Sequence, residues 1–318
     1  MVTINIKIII TIIIFKYNYC NNYIMSIIKH LVISGGGPTM IQTLGSIQHL
    51  EENKFIDFNN IETIYGTSAG AIIGVLICLR YDWTTLYDYI IKRPWHEVFP
   101  VNIQNIFEAY TKKGIFDDKT IIKCFKPLLD AKNISMNVSL KEFYEYSKIE
   151  IHMFSFEVNT FQIEDISYLT HPDLSLITAI QMSCALPILV TPICTEEKCY
   201  IDGGITCNYP LKYCVDSSKK IEEILGFKNK YEDYNKNRIN SSSTLLDFIM
   251  NFLFKLIHSV SSNNTSQNSI TYEVISNTDF LSISTLKSAL YSIEVREKLY
   301  KNGIETATIF ISNLENTI

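Results

Sequence analysis

Apolar positions along the chain follow two rhythms: short β-branched runs, and longer stretches in which one apolar stripe recurs at helical spacing. His30-Leu31-Val32-Ile33-Ser34 is nearly continuous in apolar residues and predicts a buried strand. It runs into Gly35-Gly36-Gly37-Pro38, after which Ile41, Leu44, Ile47 and Leu50 mark one side of a helix. The order then repeats. Ile61 to Tyr65 predicts a second strand and Ala71 to Leu79 a second helix, with Gly66-Thr67-Ser68-Ala69-Gly70 at their junction.

Further along, Thr84 to Lys92 reads as helix, and Asp117 or Asp118 can cap a helix over Lys119 to Leu129. Ser139-Leu140-Lys141-Glu142 has capping-box spacing and opens a short helix to Tyr146. Ile149 to Val158 and Phe161 to Leu169 alternate as strands and are joined at Asn159-Thr160. A helix is predicted over Leu174 to Ser183, ended by Pro187, and Tyr200 and Ile201 close another strand before Asp202-Gly203-Gly204. Beyond it, Tyr231 to Ser243 reads as a polar linker, Thr244 to Val260 as an apolar helix, Ser261 to Ser269 as a loop and Ile293 to Leu299 as a short helix. At the other end, Ile8 to Phe15 is an apolar run between Lys7 and Lys16, shorter than the roughly 20 residues that a spanning helix needs. It reads as a tail outside the fold or as the apolar part of a signal or anchor, although no small-residue cleavage site follows it before Cys20, and Met25 is a second possible start of translation.

Composition narrows the class. The 318 residues are 47% hydrophobic and 19% charged, enough for one large α/β domain with an appendage or for two modest domains. A formal charge of −5 without a basic stripe argues against a nucleic-acid binder, whose phosphate contacts need clustered Lys and Arg. The eight cysteines include no C-x-x-C pair, so free core thiols in a reducing compartment are expected, not a metal site.

Three glycine-bearing segments carry the candidate chemistry. Gly66-Thr67-Ser68-Ala69-Gly70 has the G-x-S-x-G form of a nucleophile elbow, in which a strained strand-to-helix turn exposes a serine. Gly35-Gly36-Gly37 fails as a dinucleotide fingerprint, having Met40 where a glycine is needed, and lacks the Gly-Lys-Ser/Thr of a P-loop. It suits an oxyanion hole, whose donors are backbone N–H groups, or a plain tight turn. Asp202-Gly203-Gly204 is an ordinary turn signal, or a carboxylate projecting into a cleft beside residues without side chains. A Ser-acid-His triad would need a histidine after Asp202, and only His258 qualifies, within an apolar helical stretch. A dyad in which Asp202 itself takes the proton of Ser68 accounts for more of these residues.

Taken in order, Ser34-Gly-Gly-Gly37, Gly66-Thr-Ser-Ala-Gly70 and Asp202-Gly-Gly204 resemble the signature of the patatin-like phospholipases, with weaker likeness at Ser183-Cys-Ala-Leu-Pro187 and Asn208-Tyr-Pro210. The resemblance spans roughly Ile28 to Leu211. It implies a three-layer α/β/α fold with a central, mostly parallel sheet. It also implies a lipid acyl hydrolase without metal or cofactor, in which Ser68 is the nucleophile, Asp202 the proton acceptor and Gly35, Gly36 and Gly37 the oxyanion loop. Many relatives place a basic residue and a glycine after that loop, where this chain has Pro38-Thr39-Met40, which puts the head-group preference in doubt. The expected organisation is a tail over residues 1–24, a catalytic domain over 25–230 and a mostly helical segment over 231–318 packed on it. Acyl lipid at a membrane surface is the expected partner and the cytoplasm the expected location. A His258-dependent carboxylesterase and an inactive lipid-binding scaffold of the same fold are the alternatives.

Overall fold

A computed structural model of the chain describes residues 28–101, 103–232, 239–264, 269–279 and 282–317. The apolar run Ile8 to Phe15, Met25, and parts of the predicted loops at 231–243 and 261–269 lie outside the described residues. The strands are β1 (His30–Ile33), β2 (Thr63–Thr67), β3 (Gly114–Phe116), β4 (Glu150–Glu157), β5 (Gln162–Ile166), β6 (Ile188–Val190), β7 (Ile193–Cys194), β8 (Cys199–Asp202), β9 (Ile224–Glu232) and β10 (Tyr272–Asp279). The helices that matter below are α1 (Met40–Glu52), α2 (Ala69–Cys78), α3 (Asp118–Ala131), α4 (Leu140–Ser147), α5 (Leu176–Cys184), α6 (Leu245–Asn264), α7 (Ile283–Tyr291) and α8 (Ile293–Thr317).

The main sheet runs β10-β9-β1-β2-β4-β8-β7, with β5 paired to β4. From β10 to β4 every pairing is parallel, whereas β5, β7 and β8 join antiparallel. Successive strand residues point to opposite faces. Leu31, Ile33 and Ile64 therefore enter one large core with α1, α2, α3, α5 and α8, while Val32 and Tyr65 enter a second core with Phe154, Leu211 and Cys214 on the other face. With both faces covered, β1 and β2 are buried throughout, as their unbroken apolar runs imply. The result is the three-layer α/β/α arrangement expected from the sequence.

The predicted capping box forms at Ser139, which accepts from Glu142 N–H at the start of α4. The predicted hairpin forms as β4 and β5 in antiparallel register. Helix α5 begins at Leu176, two residues later than Leu174, because Ser175 accepts from Thr178 N–H and caps it. Three differences are larger. Strands β3, β6, β7, β9 and β10 have no counterpart in the sequence reading; β10 is obscured because its inward positions include Ser276 and Thr278 while Ile275 faces out, which inverts the usual alternation. Helix α8 continues from Ile293 to Thr317 rather than ending at Leu299. It crosses α1 at Gly303, where a Cβ would lie 1.9 Å from Gln42 O, and Ser46 Oγ donates to Gly303 O at 2.8 Å. Finally, Cys194 and Cys199 are joined as a disulfide across the β7–β8 pair, contrary to the expectation of free thiols, which holds for Cys78, Cys124, Cys184, Cys207 and Cys214.

Candidate active site

Ser68 stands between the end of β2 and the first residue of α2, with φ 54° and ψ −119°. A non-glycine residue with positive φ is strained and persists only where its surroundings hold it. The flanking glycines explain how. A Cβ on Gly66 would lie 2.5 Å from Gly70 C, and one on Gly70 2.2 Å from Ile33 O, so the turn closes only with hydrogen at both positions. Ser183 Oγ adds a clamp by accepting from Ser68 N–H at 3.0 Å while donating to Phe154 O at 2.8 Å.

Asp202 reaches the same point through the sheet. Thr67 is in register with Phe154 on β4, and Ser155 on β4 with Asp202 on β8, so β4 bridges the two segments. Ser68 Oγ donates to Asp202 Oδ2 at 2.6 Å, and Gly204 N–H donates to Asp202 Oδ1 at 2.7 Å. Asp202 is only 4% exposed. Burial raises its pKa to about 6, against the two hydrogen bonds, which favour the charged form.

The glycine loop lies against this pair. A Cβ on Gly35 would sit 3.2 Å from Ser68 Cβ and 2.6 Å from Asn208 Oδ1. The carbonyl of Gly35 accepts from Asn229 Nδ2 at 3.0 Å and Asn208 Nδ2 at 3.3 Å. A trans peptide points its N–H opposite to its carbonyl, so the amides that hold Gly35 O turn the Gly36 N–H the other way. Gly35 N–H itself donates to Asn208 O at 2.9 Å, so within the loop Gly35 is tied to the fold and Gly36 and Gly37 carry the candidate oxyanion donors. Gly36 and Gly37 border the cavity described next; Gly37 adopts φ 54°. Thr39 supports the turn, accepting from Asn229 Nδ2 at 2.8 Å and donating to Gly36 O at 3.1 Å.

Ser68, Asp202, Gly36, Gly37 and Gly204 open onto a cavity of about 620 Å³ walled mainly by apolar side chains, among them Ile72, Leu76, Trp95, Phe125, Leu128 and Phe254. Tyr231 and Cys184 also line it, and burial pushes both side chains well above their usual pKa. Thr67, Ala69 and Gly203 complete the motifs without a place in the cavity wall apart from Ala69. A Cβ on Gly203 would meet Phe154 O at 2.4 Å, so the turn after β8 packs on β4 at that point.

Among the described side chains no histidine hydrogen-bonds to Ser68 or Asp202. His30 is buried against Thr63 Oγ1, and burial lowers its pKa to about 4. His152 stacks on Tyr65 between Asp165 and Glu150; burial opposes its charge, but the two carboxylates raise its pKa to about 9. Position 258 falls within α6, and its side chain lies outside what the structure describes. Sequence reasoning missed Asn229 altogether, since an asparagine in a polar stretch of β9 carries no local signal. Ser183 and Asn208 were visible only as parts of the weaker family-like segments.

A mostly parallel sheet with helices on both faces, carrying a serine on a strand-to-helix turn above an apolar cavity, defines an α/β fold of the patatin type. The chain belongs to the patatin-like phospholipase family, whose sequence profile matches residues 31–215. It is 26% identical over 216 residues to the probable lipid hydrolase 463L of Invertebrate iridescent virus 6, covering 66% of this chain and 72% of that protein. It is 23% identical over 296 residues to the uncharacterized protein R571 of Acanthamoeba polyphaga mimivirus, covering 91% and 95%. Among solved structures, VipD from Legionella pneumophila superposes with a TM-score of 0.52 at 16% identity over 90% of this chain and 67% of VipD, a likeness of fold. Among the described residues no helix is long and apolar enough to cross a membrane, and no group of three or more His, Cys, Asp and Glu residues could hold a metal ion.

Proposed function

We propose that this protein hydrolyses acyl esters of membrane lipids, with Ser68 as the nucleophile and Asp202 as its proton acceptor. The observation that carries the reading is the 2.6 Å hydrogen bond from Ser68 Oγ to a buried carboxylate at the floor of an apolar cavity. Family membership supports lipid hydrolysis in general.

In the first step Ser68 Oγ attacks the ester carbonyl carbon while its proton passes to Asp202 Oδ2. The negative charge that develops on the carbonyl oxygen is met by the N–H groups of Gly36 and Gly37 and by the positive end of α2. Collapse expels the alcohol portion of the lipid, which takes the proton from Asp202 and leaves the acyl group on Ser68. Water then attacks that acyl ester, Asp202 accepts its proton, and release of the fatty acid restores Ser68 O–H. A carboxyl with its pKa near 6 is a better base than an exposed aspartate and is still ionised at neutral pH. The cavity volume falls within the range of about 300–1,000 Å³ usual for small-molecule sites, and its apolar wall suits an acyl chain.

The test is an esterase assay on acyl lipids with Ser68→Ala, Asp202→Asn and His258→Ala. The reading requires loss in the first two variants, by about 10³-fold or more, and retention in the third. Loss on His258→Ala would replace the dyad by a histidine-dependent triad. An unmodified chain inert on every acyl lipid would leave only a lipid-binding scaffold.

A further inference from the structure

Helix α6 carries apolar side chains on two sides. Its inner stripe, Met250, Phe254 and Ile257, packs with Leu186, Leu189 and Tyr231, and Phe254 and Ile257 line the cavity above Ser68. The same helix rests on the turn Gly203–Ile205 that follows Asp202. Its outer side departs from the pattern of a surface helix. Leu245, Phe248, Phe252 and Leu256 are 74, 52, 63 and 41% exposed. At 3.6 residues per turn they fall within an arc of about 80°. The polar Asp247, Asn251 and Lys255 sit between the stripes, partly buried, with Asn251 Nδ2 donating to Asp247 O at 3.0 Å. The most water-averse side chains of the helix thus occupy the sector where a solvent-facing helix carries charge.

We propose that this outer stripe is the surface by which the protein lies on a lipid bilayer. The inference rests on the lipid-ester reading above and adds where, and by what force, the protein meets its substrate. Leu246, beside Leu245 in the chain, is partly exposed and also lines the cavity, so the helix that bears the stripe also forms part of the cavity wall. A bilayer covers the stripe and at the same place supplies the acyl chain. No charged residue lies in the stripe and the chain carries a net charge of −5, so contact is by apolar insertion and needs no anionic lipid. The helix lies in the interface, since no described helix is apolar enough to span.

The test is flotation of the Ser68→Ala chain with phosphatidylcholine vesicles, compared with the same chain carrying Phe248→Ser and Phe252→Ser. Both phenylalanines are more than half exposed, so the fold is retained, as an unchanged melting temperature checks. The Ser68→Ala chain binds, about 0.5 M salt does not release it, and the phenylalanine changes weaken binding at least about tenfold. Hydrolysis of a water-soluble short-chain ester by the chain with an intact Ser68 is unchanged by Phe248→Ser and Phe252→Ser. Failure of the Ser68→Ala chain to float, equal flotation of the phenylalanine variant, or a dimer that the two changes dissolve would each overturn the docking surface. Vesicle binding by a chain that cleaves no ester, soluble or vesicular, would uphold the surface and reject the catalytic reading instead.

Discussion

Replacing Asp202 by asparagine should make the protein more stable while abolishing its activity, and the gain should depend on pH. In the folded chain the carboxyl is buried and its pKa rises from 3.8 to about 6. Between those values the folded state binds more protons than the unfolded state, so raising the pH through this window weakens the fold. Above about pH 6 the ionised carboxylate costs about 3 kcal/mol relative to an aspartate in water, at roughly 1.4 kcal/mol per tenfold. Asparagine has the same shape and no charge. Its Oδ1 can still accept from Gly204 N–H, now at 2.7 Å from the aspartate, and its Nδ2 can donate to Ser68 Oγ. The variant should therefore melt higher at pH 7.5, by on the order of 5 °C for a chain of this size. The difference should shrink as the pH falls below 6 and vanish below 3.8, where the aspartate is protonated in the folded and the unfolded chain alike. Differential scanning calorimetry of the two proteins from pH 4 to 8 measures this directly. A variant less stable at neutral pH, or a difference that does not change with pH, would refute the assignment of Asp202 as a desolvated, ionisable base.

Other consequences can be checked separately. Because the base must be ionised, kcat/KM on a soluble ester should be small at pH 5, rise with pH through about 6 and then level off; a profile flat across that range would count against Asp202. Gly36→Ala places a Cβ 2.1 Å from Thr39 Oγ1 and 2.5 Å from Asn229 Nδ2, which displaces the loop; kcat should fall about 10²–10³-fold with KM little changed. Gly303→Val would drive a side chain into Gln42 O on α1, and chemical denaturation should show a loss of at least about 1–3 kcal/mol through detachment of α8.

Much of the part of the fold around Ser68 is legible because its signals are local. The strands and helices around Ser34 and Ser68 are marked by unbroken apolar runs bounded by glycine, and the G-x-S-x-G spacing has a steric reason visible in the contacts of Gly66 and Gly70. The candidate site is legible as residue types in short segments, since Ser68, Asp202 and the glycine loop each stand in a turn with its own composition. What supports the loop is not legible. Asn229 meets Gly35 across a sequence separation of 194 residues, and no local pattern announces an amide that will hold a distant carbonyl. Strand β10 escapes for a different reason: its inward serine and threonine are tolerated in a buried strand, so the polar–apolar alternation that identifies strands points the wrong way. Helix α8 continues past Leu299 because close packing of Gly303 on α1 makes a glycine favourable inside a helix, overriding its low intrinsic propensity. The Cys194–Cys199 bond depends on two strand ends being brought into register, which spacing alone does not reveal.

Reaction with a fluorophosphonate followed by peptide mapping tests most directly whether Asp202 makes Ser68 nucleophilic. A single adduct on the peptide containing Ser68, forming faster as the pH rises through about 6 and greatly slowed in Asp202→Asn, is the predicted result. An adduct on a different residue, or ester hydrolysis that persists with Ser68 unlabelled, would contradict it.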